Sequence, residues 1–186
     1  GSNPISFSDP FGLCPEWLDR IPCLSPIASA MSPAHSPEPS GTSGSEWGYT
    51  RSGGEQFHNG FDWKADVGTA IVAPASATVR FVPASIGGKA GNHVQIDFGN
   101  GATMTIAHLE GFSSLAPEGA ADGNSPVVVK VDAGAVLGHT GTSGNAGGKR
   151  EPHAHVITRV DGAGGAIQGT CNPRDFLSPT DGGTCR

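Results

Sequence analysis

The stretch "NHVQIDFGNGATMTIAHL", residues 92–109, has the pattern of a β-hairpin and decides the fold class. Its apolar residues Val94, Ile96 and Phe98 alternate with polar ones, and the chain turns at Gly99–Gly101 before it returns. A period of two is typical of a strand with one buried face. An asparagine between two glycines favours a tight turn. This segment therefore predicts two antiparallel strands joined by a short turn.

The flanking segments continue the same pattern. Two short strands are predicted in "TAIVAPASATVRFVPA" (69–84), one strand followed by a turn in "SPVVVKVDAGAVLGHTG" (125–141), and a last strand in "HAHVITRV" (153–160). Several short strands between glycine-rich turns are typical of antiparallel β domains. We therefore predict a mainly β protein built on an antiparallel sheet.

Composition narrows the range of functions. The chain has 186 residues, of which 29 are glycine, 15 are proline and 15% are charged, with a formal net charge of −6. That charge argues against a nucleic-acid binder, which usually has a basic face. No apolar run approaches the ~20 residues of a membrane span, and no signal peptide is recognisable. Residues 24–45 are rich in Ser, Pro, Ala and Gly, which predicts a linker before the β domain.

The four cysteines form two groups, Cys14 with Cys23 and Cys171 with Cys185. None belongs to a C-x-x-C pattern, so a thiolate zinc site is not expected. Of the three pairings that four cysteines allow, the two local ones close small loops, and we favour them. Disulfides would indicate an oxidising compartment. Four free buried thiols are the alternative.

The arrangement of histidines suggests a metal site. His58 precedes Asp62 by four positions, His108 ends the hairpin, and His153 and His155 would share one face of a strand. Catalytic zinc sites use three nitrogen or oxygen ligands and leave a position for water. Additional histidines can then act as acid, base or oxyanion stabiliser. Each pattern alone is equally typical of a surface histidine near a carboxylate or of half-exposed strand histidines.

Residues 46–177 resemble the M23 metallopeptidase family, which has the LytM or lysostaphin-like fold. Four segments carry the resemblance: "HNGFDW" is similar to the first zinc motif, "GNHVQIDFGNGATMTIAHL" to the central hairpin, "GAVLGHTGTSGNAGG" to the glycine-rich turn before the His-x-His strand, and "NPRDFL" to the closing segment. We therefore predict a peptidase domain at 46–186.

The resemblance implies a role for each of the five residues. His58, Asp62 and His155 would bind zinc. His108 and His153 would flank the reacting water, with His153 as the general base and His108 helping to stabilise the oxyanion.

Some positions depart from the family pattern or lie outside it. Ala154 replaces a bulkier aliphatic residue, Lys149–Glu151 is an insertion beside the substrate groove, and Ile106 stands where an aromatic residue is common. We expect these differences to affect substrate preference more than catalysis. His93 is predicted to be an ordinary surface histidine, and His139 to lie in a turn beside the groove.

The first thirteen residues, "GSNPISFSDPFGL", are outside the peptidase pattern. They resemble the motif that closes the β-cage of Rhs-repeat proteins, which is followed by a variable toxin. The resemblance implies cleavage after Leu13, an Rhs cage in the parent polypeptide, delivery by a secretion machine such as the type VI system, and a cognate immunity protein. Residues 14–45 would then be a linker with a local disulfide.

These observations predict a zinc-dependent endopeptidase that hydrolyses peptide cross-links of bacterial peptidoglycan. It would act as a secreted antibacterial toxin in the periplasm or cell wall of target bacteria. One alternative is a catalytically inactive LytM-like module that binds or activates another cell-wall hydrolase. The other is a zinc peptidase that acts on glycine-rich proteins.

Overall fold

A computed structural model describes residues 44–99, 101–117, 125–147, 152–162 and 166–173. The Rhs-like segment, nearly all of the predicted linker, the insertion at 149–151 and the chain from residue 174 onward lie outside this range.

The described chain is built from ten strands joined by turns. The strands are β1 (Gly48–Arg51), β2 (Gln56–His58), β3 (Phe61–Lys64), β4 (Ala70–Val72), β5 (Ala77–Val82), β6 (Asn92–Asp97), β7 (Ala102–Phe112), β8 (Val127–Val131), β9 (Val136–Thr140) and β10 (His153–Val160). One helical turn, α1 (Ala84–Gly87), and three 3₁₀ turns (Ser52–Gly54, Gly88–Ala90 and Gly144–Ala146) connect them.

The strands form one large antiparallel sheet and a separate hairpin. The large sheet has the order β3-β10-β7-β6-β5-β8, and β9 joins it by pairing with β7 and with β4. The hairpin consists of β1 and β2. The prediction of an antiparallel, mainly β fold is confirmed.

One face of the sheet forms the core. Phe61, Trp63, Ile106, Ala154 and Val156 are at most 1% exposed and pack in one apolar cluster. They alternate along their strands with residues that face the other side. Ala154 is buried in this core and therefore points away from its two histidine neighbours.

The central hairpin is confirmed, with β6 and β7 paired antiparallel. The segment 125–141 differs from the prediction because it forms two strands, β8 and β9. A turn separates them, in which Ala135 N–H donates to the carbonyl of Asp132 (3.1 Å) and Gly134 has φ of 81°. Glycine adopts that left-handed conformation without the steric cost that a side chain adds.

Two predictions about histidines were wrong. His93 is buried, with 7% exposure, and its Nδ1 donates to the carbonyl of Gly91 at 3.0 Å. It is covered because the turn around Gly87 packs against its ring. His139 is exposed, and it lies within β9, opposite Ala70 and Gly111, rather than in a turn.

Cys171 is disulfide-bonded, so the alternative of four free thiols is wrong. Its partner lies outside the described residues, and the pairing with Cys185 stays a prediction. None of the helical turns in the described segments has the length and hydrophobicity of a membrane span.

Candidate metal centre

Strand register brings distant residues together on the face of the sheet opposite the core. His155 in β10 lies directly opposite Asp62 of β3 on one side and Ala107 of β7 on the other. His153 is two positions away on the same strand, so its side chain points to the same face. His58 is contributed by the end of β2.

Three donor atoms converge at this point. Oδ1 of Asp62 lies 2.7 Å from Nδ1 of His155 and 3.3 Å from Nε2 of His58, and the two imidazole nitrogens are 3.1 Å apart. Of the described residues, only this trio brings three potential ligand atoms within 4.8 Å of one another. The structure thus brings together the three residues predicted as zinc ligands.

Backbone contacts determine which nitrogen of His58 faces the cluster. Its Nδ1 donates to the carbonyl oxygen of Glu46 at 2.8 Å, so the neutral ring has its lone pair on Nε2. Nδ1 of His155 then faces two acceptors, Nε2 of His58 and Oδ1 of Asp62, which a single N–H would have to share. Lone pairs that converge in this way are better suited to binding a cation than to forming hydrogen bonds with one another.

A short segment before β1 supports two of the three candidate ligands, Asp62 and His58. The carbonyl of Ser45 accepts from the backbone N–H of Asp62 (2.8 Å), and the carbonyl of Glu46 accepts from His58. Nη2 of Arg51 donates to Oδ2 of Asp62 at 2.9 Å, and Nε of Arg51 donates to the carbonyl of Gly44 at 3.0 Å. Sequence reasoning missed this support and assigned Gly44 and Ser45 to the linker, although Ser45 is 2% exposed.

His108 reaches the site through a β-bulge. Asn92 pairs with Leu109 and Val94 with Ile106, so two residues of β7, Ala107 and His108, lie opposite one residue of β6. His108 has a φ of 66°, which is uncommon for a residue with a side chain. The extra residue shifts the alternation of β7. Leu109 therefore returns to the core, and His108 faces the metal-ligand side.

The ring of His108 is held in one orientation. Nδ1 donates to the carbonyl of Ser143 at 2.9 Å, and the hydroxyl of Ser143 accepts from the backbone N–H of Asn92 at 2.9 Å. The ring centre lies 5.0 Å from that of His153 and 5.9 Å from that of His155. The two predicted catalytic histidines are therefore neighbours beside the ligand cluster.

Burial and neighbouring charge shift several pKa values. Burial raises the pKa of Asp62, but hydrogen bonds and charge interactions with His155 and His58 outweigh it, so the net pKa lies well below the usual range. Burial, together with the neighbouring His153 and His155, lowers the pKa of His108 to about 4. Burial also lowers the pKa of His155, against the opposing effect of Asp62. The metal-free site therefore favours an ionised carboxylate and neutral His108 and His155.

Gly60, between β2 and β3, is a further residue that the site requires. A Cβ at this position would lie 2.8 Å from Cε1 of His155 and would clash with the carbonyl oxygen of Val156. The "HNGFDW" motif contains this glycine, but its role depends on β10, which is nearly a hundred residues away in sequence.

Fold and site together define an antiparallel β protein with a candidate metal centre on one face of its sheet. The sequence model of Peptidase family M23 matches residues 56–166, and the chain belongs to that family. No curated protein sequence matches the chain.

Several solved structures are similar in fold. The catalytic domain of the prophage-encoded M23 protein EnpA from Enterococcus faecalis, in a mutant form, is 26% identical with a TM-score of 0.51, over 76% of this chain and 92% of that one. A putative M23 peptidase from Pseudomonas aeruginosa is 22% identical with a TM-score of 0.52, over 86% and 51%. The catalytic domain of the antimicrobial peptidase lysostaphin from Staphylococcus simulans is 22% identical with a TM-score of 0.49, over 74% and 90%.

Proposed function

We propose that the chain is a zinc-dependent endopeptidase that hydrolyses the peptide cross-links of bacterial peptidoglycan. One observation carries the proposal. His58, Asp62 and His155 direct their donor atoms at one point, beside two further imidazoles, in a member of a peptidase family.

The donor set suits zinc. Two imidazole nitrogens and one carboxylate oxygen are ligands that zinc prefers, and three protein ligands leave a coordination position open. The hydrogen bond from His58 to Glu46 and the ion pair of Asp62 with Arg51 are the outer contacts that orient such ligands. Bound there, zinc would supply Lewis-acid polarisation of the scissile carbonyl and of the attacking water.

The two remaining histidines have the chemistry for proton transfer. Nε2 of His153 lies 3.7 Å from Oδ1 of Asp62, next to the ligand cluster, where it would accept a proton from water and pass it to the leaving amine. Because Nδ1 of His108 is bound to Ser143, neutral His108 presents Nε2 as an acceptor. His108 would therefore stabilise an oxyanion through Nε2 only in its protonated form, as the donor of a hydrogen bond.

We also propose that the chain is the toxin end of an Rhs effector, delivered to the periplasm or cell wall of target bacteria and neutralised in the producer by an immunity protein. The motif at 1–13 supports the Rhs context. The disulfide at Cys171 supports an oxidising place of action, because disulfides persist in such compartments.

The test is digestion of purified peptidoglycan by the zinc-loaded chain, with mass spectrometry of the released muropeptides. We expect cross-linked dimers to disappear and the product masses to identify the bond that is cut. A chelated sample and the His153→Ala variant should both leave the dimers intact, and zinc added back should restore cleavage in the chelated sample.

Intact dimers in the presence of one tightly bound zinc would contradict the proposal and favour a non-catalytic binding module. A parallel digest of elastin distinguishes the remaining alternative. Cleavage of elastin without cleavage of peptidoglycan would indicate a peptidase for glycine-rich proteins.

A further inference from the structure

We propose that Arg51 is a positioning residue that holds Asp62 as a single-oxygen metal ligand; this inference rests on the proposed metal centre and deepens it. The two oxygens of Asp62 have different partners. Oδ1 faces the two imidazole nitrogens, whereas Oδ2 accepts from Nη2 of Arg51 at 2.9 Å. The side chain of Asp62 is 4% exposed, so water has little access to it.

The guanidinium is itself anchored on its other side. Nε of Arg51 donates to the carbonyl of Gly44 at 3.0 Å while Nη2 holds Asp62. A planar guanidinium that makes two hydrogen bonds in its own plane has little freedom to rotate. A lysine ammonium, which has no such plane, is not held in one orientation in this way. The carboxylate is thereby prevented from rotating to offer both oxygens to one ion.

A bulge in the β1–β2 hairpin directs Arg51 toward the site. Tyr49 pairs with Phe57, but the next pair is Arg51 with Gln56, so Thr50 is the extra residue. In a regular strand without a bulge, Arg51 would share the face of Tyr49, because residues two positions apart point to the same side. The extra residue instead places Arg51 on the face of His58.

Gly44 makes room for this arrangement. It has φ of 81°, and a Cβ there would clash with Cγ of Arg51. The segment that supports the ligands through the carbonyls of Ser45 and Glu46 therefore also supports Arg51, and the metal-facing oxygen of Asp62 depends on it.

The experiment measures metal affinity in the full chain carrying Arg51→Met or Arg51→Lys. Loss of a positive charge near a cation would by itself strengthen metal binding. If Arg51 orients Asp62, Arg51→Met should instead weaken zinc binding about 10- to 100-fold, the usual effect of removing an outer partner of a ligand. Arg51→Lys keeps the charge but lacks the planar pair of donors that binds Oδ2 of Asp62 and the carbonyl of Gly44, and its zinc affinity should fall between those of Arg51→Met and the unaltered chain.

Zinc dissociation constants are measured by competition with a chromogenic chelator, and the visible spectrum of the cobalt-loaded chain reports ligand geometry. We expect an altered cobalt spectrum in Arg51→Met. Arg159→Met removes an exposed arginine from β10 and controls for the loss of charge; its affinity should match that of the unaltered chain. Thermal unfolding with chelator present checks that each variant folds. If Arg51→Met does not fold, Arg51→Lys is sufficient to test the proposal.

Zinc affinity in Arg51→Met equal to or above that of the unaltered chain, with an unchanged cobalt spectrum, would overturn the proposal. Both readouts are independent of hydrolysis. If the chain binds zinc but leaves peptidoglycan intact, the proposed function fails while the role of Arg51 is still tested.

Discussion

His108 combines a strained backbone with a fixed ring orientation. A residue with a side chain at positive φ costs on the order of 1–3 kcal/mol and persists where its surroundings hold it. Here the β6–β7 pairing on both sides of the bulge and the hydrogen bond to Ser143 hold it. The strain is located at a residue predicted to be catalytic, as expected if it serves to aim the imidazole.

Neutral His108 makes the stability of the metal-free chain dependent on pH. Its pKa falls from 6.5 to about 4 on folding, so the unfolded chain binds more protons between these values. Acidification from pH 6.5 to 4 should therefore lower the free energy of unfolding, with up to about 3 kcal/mol from His108 alone. His93 and His155, whose pKa values are also lowered, contribute with the same sign. Urea unfolding with chelator present, repeated across this pH range, measures the effect.

His108→Gln is the matched control, and its pH-dependent loss of stability should be smaller. The contribution of Asp62 is separable, because its lowered pKa gives stability that is present above 3.8 and lost below it. An identical pH dependence in His108→Gln and the unaltered chain would refute the assignment to His108.

At the scale of elements, the site depends on how β10 approaches the turn before β3. The two strands pair from His153 with Lys64 to Val156 with Phe61. Gly60 lies at the end of this ladder, and a Cβ at this position would lie 2.8 Å from Cε1 of His155. A residue without a side chain is needed there because the backbone of β10 passes so close.

Gly60→Ala should displace β10 and separate its histidines from Asp62. The added Cβ would lie against the carbonyl of Val156, which cannot rotate away as a side chain can. We expect a loss of about 1–3 kcal/mol in stability, typical of overpacking, together with weaker zinc binding. Chemical unfolding and chelator competition measure the two effects.

Gly111→Ala is a suitable comparison, because Gly111 also lies in the sheet and a Cβ there would have no neighbour within 4 Å. It should leave zinc affinity unchanged. Equal zinc affinity in Gly60→Ala and Gly111→Ala would show that the close approach at Gly60 does not control the site.

At the scale of the whole molecule, the segment 166–173 connects the sheet to the hairpin that supports the site. Cys171 exchanges hydrogen bonds with Thr158 of β10: its N–H donates to the Thr158 carbonyl (2.9 Å), and its carbonyl accepts from the Thr158 hydroxyl (3.0 Å). The hydroxyl of neighbouring Thr170 accepts from Nε1 of Trp47 at 3.0 Å, just before β1. The disulfide at Cys171 therefore anchors a segment in contact with both parts.

Reduction should consequently destabilise the fold by about 2–4 kcal/mol, the usual effect of losing a native disulfide. Thermal unfolding with and without reductant measures this loss. If the pairing is local, the Cys14→Ser/Cys23→Ser variant retains the bond at Cys171 and should still respond to reductant. Non-reducing peptide mapping should then recover a Cys171–Cys185 linkage; a Cys171 peptide linked to Cys14 or Cys23 would contradict the local pairing.

Residue types and local spacing were sufficient to predict most of the strands. Alternation predicted β6, β7 and β10, because a half-buried strand must place apolar side chains on one face. The burial of His93 was not predictable in this way, since it depends on α1 and the 3₁₀ turn that follow β5 folding back over β6. The turn that divides residues 125–141 into β8 and β9 was likewise not predicted from local spacing.

The sequence by itself determined the antiparallel class and the family resemblance, and it predicted the five histidine and aspartate positions of the candidate site, because periodicity and short motifs are local properties. Only the tertiary structure decided that Asp62, His58 and His155 converge, that a bulge aims His108, and that Arg51 and Gly60 belong to the site. These features depend on strand register and on close backbone approaches between segments far apart in sequence, which local patterns do not specify.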